Sequence, residues 1–221
     1  MSRSSRLNAV LAAAAVMLVT GAVGAFADFP SAPADTSGMM KGTQTAVLAG
    51  GCFWGMEGIF ERLKGVVDVT SGYSGGSKDT AFYEMVGSGT TGHAESVQIH
   101  YDPTKISYGT ILKVFFSVAH DPTQLNYQGP DHGTQYRSVI FYANDGQKQV
   151  AEAYIKLLDA AKAYPQKIVT QVVPLKAFYA AEDYHQKFLD RNPDYPYIVY
   201  WDLPKIANLK HTYPGLVVEG M

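Results

Sequence analysis

The hydrophobic pattern changes period several times along the chain. Thr45 to Ala49 is a short apolar run closed by Gly50-Gly51, which has the length and boundary of a buried strand. Beyond it Phe53, Met56, Phe60 and Leu63 recur at helical spacing, and the pattern stops at Gly65, so one face of a helix is apolar. Val66 to Tyr73 predicts a strand before the turn Ser74-Gly75-Gly76, and Ser96 to Tyr101 alternates as another. Ile111, Leu112, Phe115, Phe116 and Ala119 mark a second helix, Ser138 to Tyr142 a strand, and Val150, Tyr154, Leu157, Leu158 and Ala161 a third helix. Lys167 to Val173 is rich in β formers, and Phe178 to Asp190 is expected to be helical. Strands and helices interleave, and some neighbouring strands lack a crossover long enough for parallel pairing. The expected class is α+β: a two-layer sandwich with a mixed or antiparallel sheet covered by helices, a ferredoxin-like core with extensions.

The N-terminus has a different texture. Arg3 and Arg6 precede a mostly apolar stretch, Val10 to Val19, and Ala25-Phe26-Ala27 forms an A-x-A cleavage pattern. Residues 1–27 are therefore expected to be a signal peptide cut after Ala27, which addresses the protein for export to a periplasm or the exterior. The competing reading is a membrane anchor, which applies only if the segment stays uncleaved. Residues 28–42 are rich in Pro, Ser, Ala, Gly and Thr and read as a flexible linker, and 43–221 as one domain without internal repeats.

Composition narrows the function. Eighteen basic against twenty acidic side chains, with no basic block, make no nucleic-acid binder. A single cysteine among 221 residues excludes an internal disulfide framework and a thiolate-rich metal site, and no metal is expected. In an exported protein a lone cysteine is either a small core residue or a thiol kept for chemistry.

That thiol, Cys52, lies between a strand and the first turn of a helix, behind two glycines and before Phe53-Trp54-Gly55. A helix N-terminus offers free N–H donors and a positive dipole end, both of which favour a thiolate. Six histidines leave a Cys-His hydrolase open, and an aromatic-lined peptide-binding module is open too. Two polar segments, Gly92-His93-Ala94-Glu95 and Asp131 to Ser138, precede strands, where a scaffold can aim side chains at a cleft. Taken singly, Glu95 suits a solvated strand edge, Asp131 a turn, and Tyr83 and Tyr136 a core with exposed hydroxyls.

Together, Gly51-Cys52-Phe53-Trp54-Gly55, Gly92-His93-Ala94-Glu95, Asp131-His132-Gly133-Thr134-Gln135-Tyr136-Arg137-Ser138 and Glu182-Asp183-Tyr184-His185-Gln186 resemble the type A peptide-methionine sulfoxide reductases, from about Thr45 to Tyr213. The resemblance implies an oxidoreductase for the S epimer of methionine sulfoxide, free or in proteins. It implies Cys52 as nucleophile, Glu95 as proton donor, and Tyr83 and Tyr136 as hydrogen-bond donors to the sulfoxide oxygen. Phe53 and Trp54 are then an apolar wall for the substrate methyl group, with Asp131 and His185 on the substrate side. The implied enzyme carries no bound cofactor and works as a monomer on oxidised proteins and peptides. Many members carry further cysteines that resolve the sulfenic acid internally; this chain has none, so an external thiol, a thioredoxin-like protein, glutaredoxin or glutathione, must reduce Cys52.

Overall fold

In the computed structural model, residues 29–33 and 41–220 are described. The signal-peptide reading falls on residues outside that set. Among these residues, eight strands and six α-helices follow one another as β1 (Gln44–Ala49), α1 (Phe53–Glu61), β2 (Val66–Ser74), α2 (Tyr83–Val86), β3 (Ala94–Tyr101), α3 (Tyr108–Val114), β4 (Tyr127–Gln128), β5 (Asp131–His132), β6 (Val139–Tyr142), α4 (Asp145–Ala160), β7 (Gln171–Pro174), β8 (Phe178–Ala180), α5 (Phe188–Arg191) and α6 (Leu203–Thr212). Six strands form one sheet in the order β7-β6-β1-β3-β2-β8, and β4 and β5 form a separate hairpin. Every pairing in the large sheet is antiparallel except β6 with β7. The α+β class is thus a mixed sheet with helices packed on it.

Alternation along β1 shows how the layers arise. Ala46 and Leu48 turn toward the helices and join the main core with Ile59, Phe60, Ile111 and Phe115. Val47 and Ala49 turn to the other face, where a small cluster with Val139 and Phe141 is covered by Leu175 and Phe178. Ser107 caps α3 and Asn144 caps α4, each accepting the backbone N–H three residues on. The apolar pattern to Ala119 persists because α3 runs into a π-turn, Phe115–Ala119.

One expectation is corrected. Phe178 to Asp190 is not a helix: Phe178–Ala180 is strand β8, paired antiparallel with β2, and a turn follows before the four-residue α5. Lys187 sits at φ 54°, a left-handed conformation that no continuous helix can contain. The periodicity there reflects one face of a strand and one face of a turn. Conversely, α6 and the π-turn Ile198–Asp202 before it were not anticipated; α6 buries Ile206 and Leu209 in the main core.

Part of the expected linker is docked on the domain. The Tyr154 hydroxyl donates to the Pro30 carbonyl at 2.5 Å, Lys113 Nζ donates to Ser31 Oγ at 3.1 Å, and the Phe29 ring meets Tyr164 edge-on. No helix among the described residues is long and apolar enough to cross a membrane.

Candidate active site

The site forms where β1 ends beside the start of β3. Leu48 pairs with Val97, so the residues after β1 run past Glu95. Glu95 lies inside β3 rather than ahead of it, and shares the helix-facing side with Val97, Ile99 and Tyr101. Glu95 is therefore aimed at the first turn of α1, where its Oε2 accepts the Phe53 backbone N–H at 3.1 Å. Cys52 is the residue immediately before α1 and its own side chain caps nothing. Two glycines make the junction possible. Gly51 has φ 94°, and a Cβ there would meet Gln128 Cγ at 2.5 Å; a Cβ at Gly55 would land on Asp202 Oδ1.

A cavity of about 200 Å³ opens over this junction, several times the ~30 Å³ a water takes up in the liquid. Cys52, Phe53, Trp54 and Glu95 line it together with Tyr83, Asp131 and Tyr136. Tyr83 comes from α2, and Tyr136 from a 3-10 turn, Thr134–Tyr136. That turn is tied to the loop after α2 by Thr134 Oγ1 donating to the Gly89 carbonyl at 2.7 Å and Gln135 Nε2 to the Gly87 carbonyl at 3.2 Å. Tyr195 and Tyr197 complete the wall. No histidine lines the cavity, so a Cys-His hydrolase lacks its base there.

His185 stands behind the lining rather than in it. Its Nδ1 accepts the Trp54 indole N–H at 3.1 Å, and its ring packs against Phe53 and Tyr83 with centroids 4.9 and 4.5 Å away. Trp54 also stacks on Phe188, with ring centroids 3.8 Å apart. Asp131 is anchored by the Tyr197 hydroxyl, which donates to its Oδ2.

The electrostatics keep protons in place. Burial pushes the Glu95 carboxyl up to about 8; the Phe53 N–H opposes this and the charge of Asp131 adds to it. Burial foremost, then the charges of Glu95 and Asp202, push the Cys52 thiol well above its ordinary value, with the Trp54 N–H opposing. The favourable helix end is thus opposed by the removal of the sulfur from water. Burial, then Glu95, also raises the Tyr83 and Tyr136 hydroxyls, which remain donors. A buried thiol thus faces a neutral carboxylic acid and two phenol donors across one small space.

The family model described as peptide methionine sulfoxide reductase matches residues 44–214. The chain belongs to this family. It is 63% identical over 178 residues to peptide methionine sulfoxide reductase MsrA 2 of Mesorhizobium japonicum, covering 80% of this chain and 91% of that protein. To MsrA 2 of Synechocystis it is 56% identical over 173 residues, or 78% of this chain and 81% of that protein. Among solved structures it is similar to reduced Mxr1 from Saccharomyces cerevisiae, with 36% identity and a TM-score of 0.62 over 69% of this chain and 87% of that one. It is also similar to methionine sulfoxide reductase A of Corynebacterium diphtheriae, with 37% identity and a TM-score of 0.60 over 71% and 78% of the two chains.

Of the eight residues singled out in the sequence, this family member brings seven to the cavity and sets His185 behind it. Sequence reasoning missed Tyr195, Tyr197 and the fully buried Asp202, whose Oδ1 meets Lys205 Nζ at 3.2 Å. The available signal was Tyr195-Pro196-Tyr197, two aromatics set among turn-forming residues.

Proposed function

We propose that this chain reduces the S epimer of methionine sulfoxide, in polypeptides and as the free amino acid, with Cys52 as nucleophile. The observation that carries the reading is Glu95, a buried carboxyl raised to about 8 and set at the same helix terminus as the only cysteine. A sulfoxide sulfur is a poor electrophile until its oxygen is protonated or strongly hydrogen-bonded. Glu95 supplies that proton, and the Tyr83 and Tyr136 hydroxyls donate to the same oxygen. As the Cys52 sulfur attacks, its thiol proton passes to the Glu95 carboxylate left by that transfer and restores the acid. The S–O bond to methionine breaks, the oxygen and one proton end on Cys52 as a sulfenic acid, and methionine leaves with its sulfur reduced by two electrons. Phe53 and Trp54 take the methyl group, with sulfur–aromatic contacts worth ~0.3–1.5 kcal/mol. Asp131, held by Tyr197, orients the substrate chain. A tetrahedral sulfur with three distinct subsites admits one epimer.

Two external thiols complete the cycle. They reduce the sulfenic acid to the Cys52 thiol and leave as a disulfide with one water, since the chain has no second cysteine to resolve it. A thioredoxin-like protein, glutaredoxin or glutathione supplies them, and no bound cofactor is required. The Arg-flanked apolar N-terminus supports an exported enzyme, and mature protein beginning at Asp28 in its host would agree with that address. For the activity, dabsyl-methionine-(S)-sulfoxide with dithiothreitol should yield dabsyl-methionine while the R epimer stays unchanged. Without dithiothreitol, one methionine forms per chain and Cys52 carries a dimedone-trappable sulfenic acid. No product from folded, reduced protein would sink the reading.

A further inference from the structure

The turn between β8 and α5 lies outside the cavity, yet it touches two of the elements that build its walls, α1 and α2, and strand β2 as well. Gln186 pins it to the edge of β2: its Oε1 accepts the Ser71 N–H at 3.0 Å and its Nε2 donates to the Ser71 and Ala181 carbonyls at 3.0 and 2.9 Å. From that fixed base Glu182 uses both carboxylate oxygens. Oε1 accepts the Tyr83 backbone N–H at 2.9 Å, and Oε2 accepts the Tyr73 hydroxyl at 2.9 Å.

The first of these bonds meets a local need. α2 is a single turn of four residues, too short to hold its own shape, and its N-cap Phe82 offers no side-chain acceptor. Tyr83 is 36% exposed, so packing alone does not fix it. The carboxylate takes the first free N–H of the turn and lies at its positive end. The second bond leads to rigid structure, since Tyr73 is fully buried in β2. Burial pushes the Glu182 carboxyl up, but the Tyr83 N–H and Tyr73 hydroxyl prevail and hold it below its ordinary value, so it is an anion at neutral pH.

We propose that Glu182 is a positioning residue for the reduction step: by joining α2 to Tyr73 it holds the Tyr83 hydroxyl over Cys52, and it acts only through Tyr83. This rests on the reading that Tyr83 donates to the sulfoxide oxygen. The test is single-turnover reduction of N-acetyl-methionine-(S)-sulfoxide without reductant, read as loss of the Cys52 thiol. Glu182→Ala should slow this step about tenfold, with the later rate of thiol regeneration by dithiothreitol unchanged. In a Tyr83→Phe background the same substitution should change the rate by less than about twofold, because the two act as one unit. Glu182→Gln should recover most of the rate: its amide oxygen accepts the Tyr83 N–H and its amide nitrogen donates to the Tyr73 oxygen. If Glu182→Ala does not fold, Tyr73→Phe removes the other leg and should show the same dependence on Tyr83. A Glu182→Ala enzyme as fast as the parent, or one whose loss multiplies with that of Tyr83→Phe, overturns the proposal. A parent protein that reduces no sulfoxide overturns the underlying reading instead.

Discussion

The cavity has two walls of different construction. The wall of Cys52, Phe53 and Glu95 is made from the ends of β1 and β3 and the first turn of α1, regular elements held by the sheet. The facing wall of Asp131, Tyr195 and Tyr197 comes from a two-residue strand and an irregular stretch before the π-turn at Ile198–Asp202. On the first wall the reactive groups are placed by backbone geometry. On the second, Asp131 is placed by a partner far away in sequence, the Tyr197 hydroxyl. Bond-making groups on rigid elements and substrate-shaping groups on adaptable ones should respond differently to substitution.

The largest effect is expected on the first wall. Cys52→Ser keeps the volume and removes the nucleophile, so turnover should vanish while the melting temperature stays close to that of the parent. A serine variant with measurable sulfoxide reduction would break the division at its base. Glu95→Gln comes next. Its amide oxygen can still accept the Phe53 N–H, but no proton can be given, so single-turnover reduction should fall by about 10²–10⁴-fold. In the parent the same step should fade as pH rises through about 8, where Glu95 ionises, and the Gln variant should be flat across that range. An unchanged pH profile in Glu95→Gln would assign the proton to another group.

This contrast also explains what was legible in the sequence. The strand before Cys52, the paired glycines and the apolar helix after it were legible, because period and turn chemistry are local, while Glu95 entered the site only through the family resemblance. The strand that carries Glu95 begins at Ala94, two residues before the expected start at Ser96. Of the second wall only Asp131 was legible, through the family resemblance. Asn192-Pro193-Asp194-Tyr195-Pro196-Tyr197 reads as loop, and nothing local says that its tyrosines fold back over Trp54, which they meet edge-on at 6.1 and 5.9 Å. The helical periodicity assigned to Phe178–Asp190 failed for the same reason: β8 exists because β2 offers it an edge, and the turn after it exists because Gln186 and Glu182 find partners across the chain.

The second wall should therefore shift binding more than chemistry. Tyr197→Phe frees Asp131 from its donor, and KM for a sulfoxide peptide should rise about three- to tenfold with kcat little changed, the cost of one hydrogen bond. An equal fall in kcat would place Tyr197 with the reacting groups and dissolve the distinction between the walls.

The smallest effect concerns the seam between the two regions. Glu57, one turn along α1 from Phe53, is buried and its Oε2 accepts the Lys187 N–H at 2.8 Å, joining the first wall to the 182–187 turn. Burial first, and then the charge of Glu61, push its carboxyl up to about 7. The folded state therefore holds this proton more tightly than the unfolded chain, whose glutamates titrate near 4.3. The resulting stability is fully present below the unfolded value and is lost as pH rises through about 7. Over pH 5 to 8 that is about 2 kcal/mol, or roughly 4–8 °C in melting temperature for a domain of this size. Glu95, raised in the same direction, adds to the decline and extends it past pH 8. Glu57→Gln should remove only the first part, so the variant's melting temperature falls less between pH 5 and 7.5 and then follows the parent. A variant whose melting curve tracks the parent at every pH would show that the seam is held by the hydrogen bond to Lys187 alone and that the Glu57 proton contributes nothing to it.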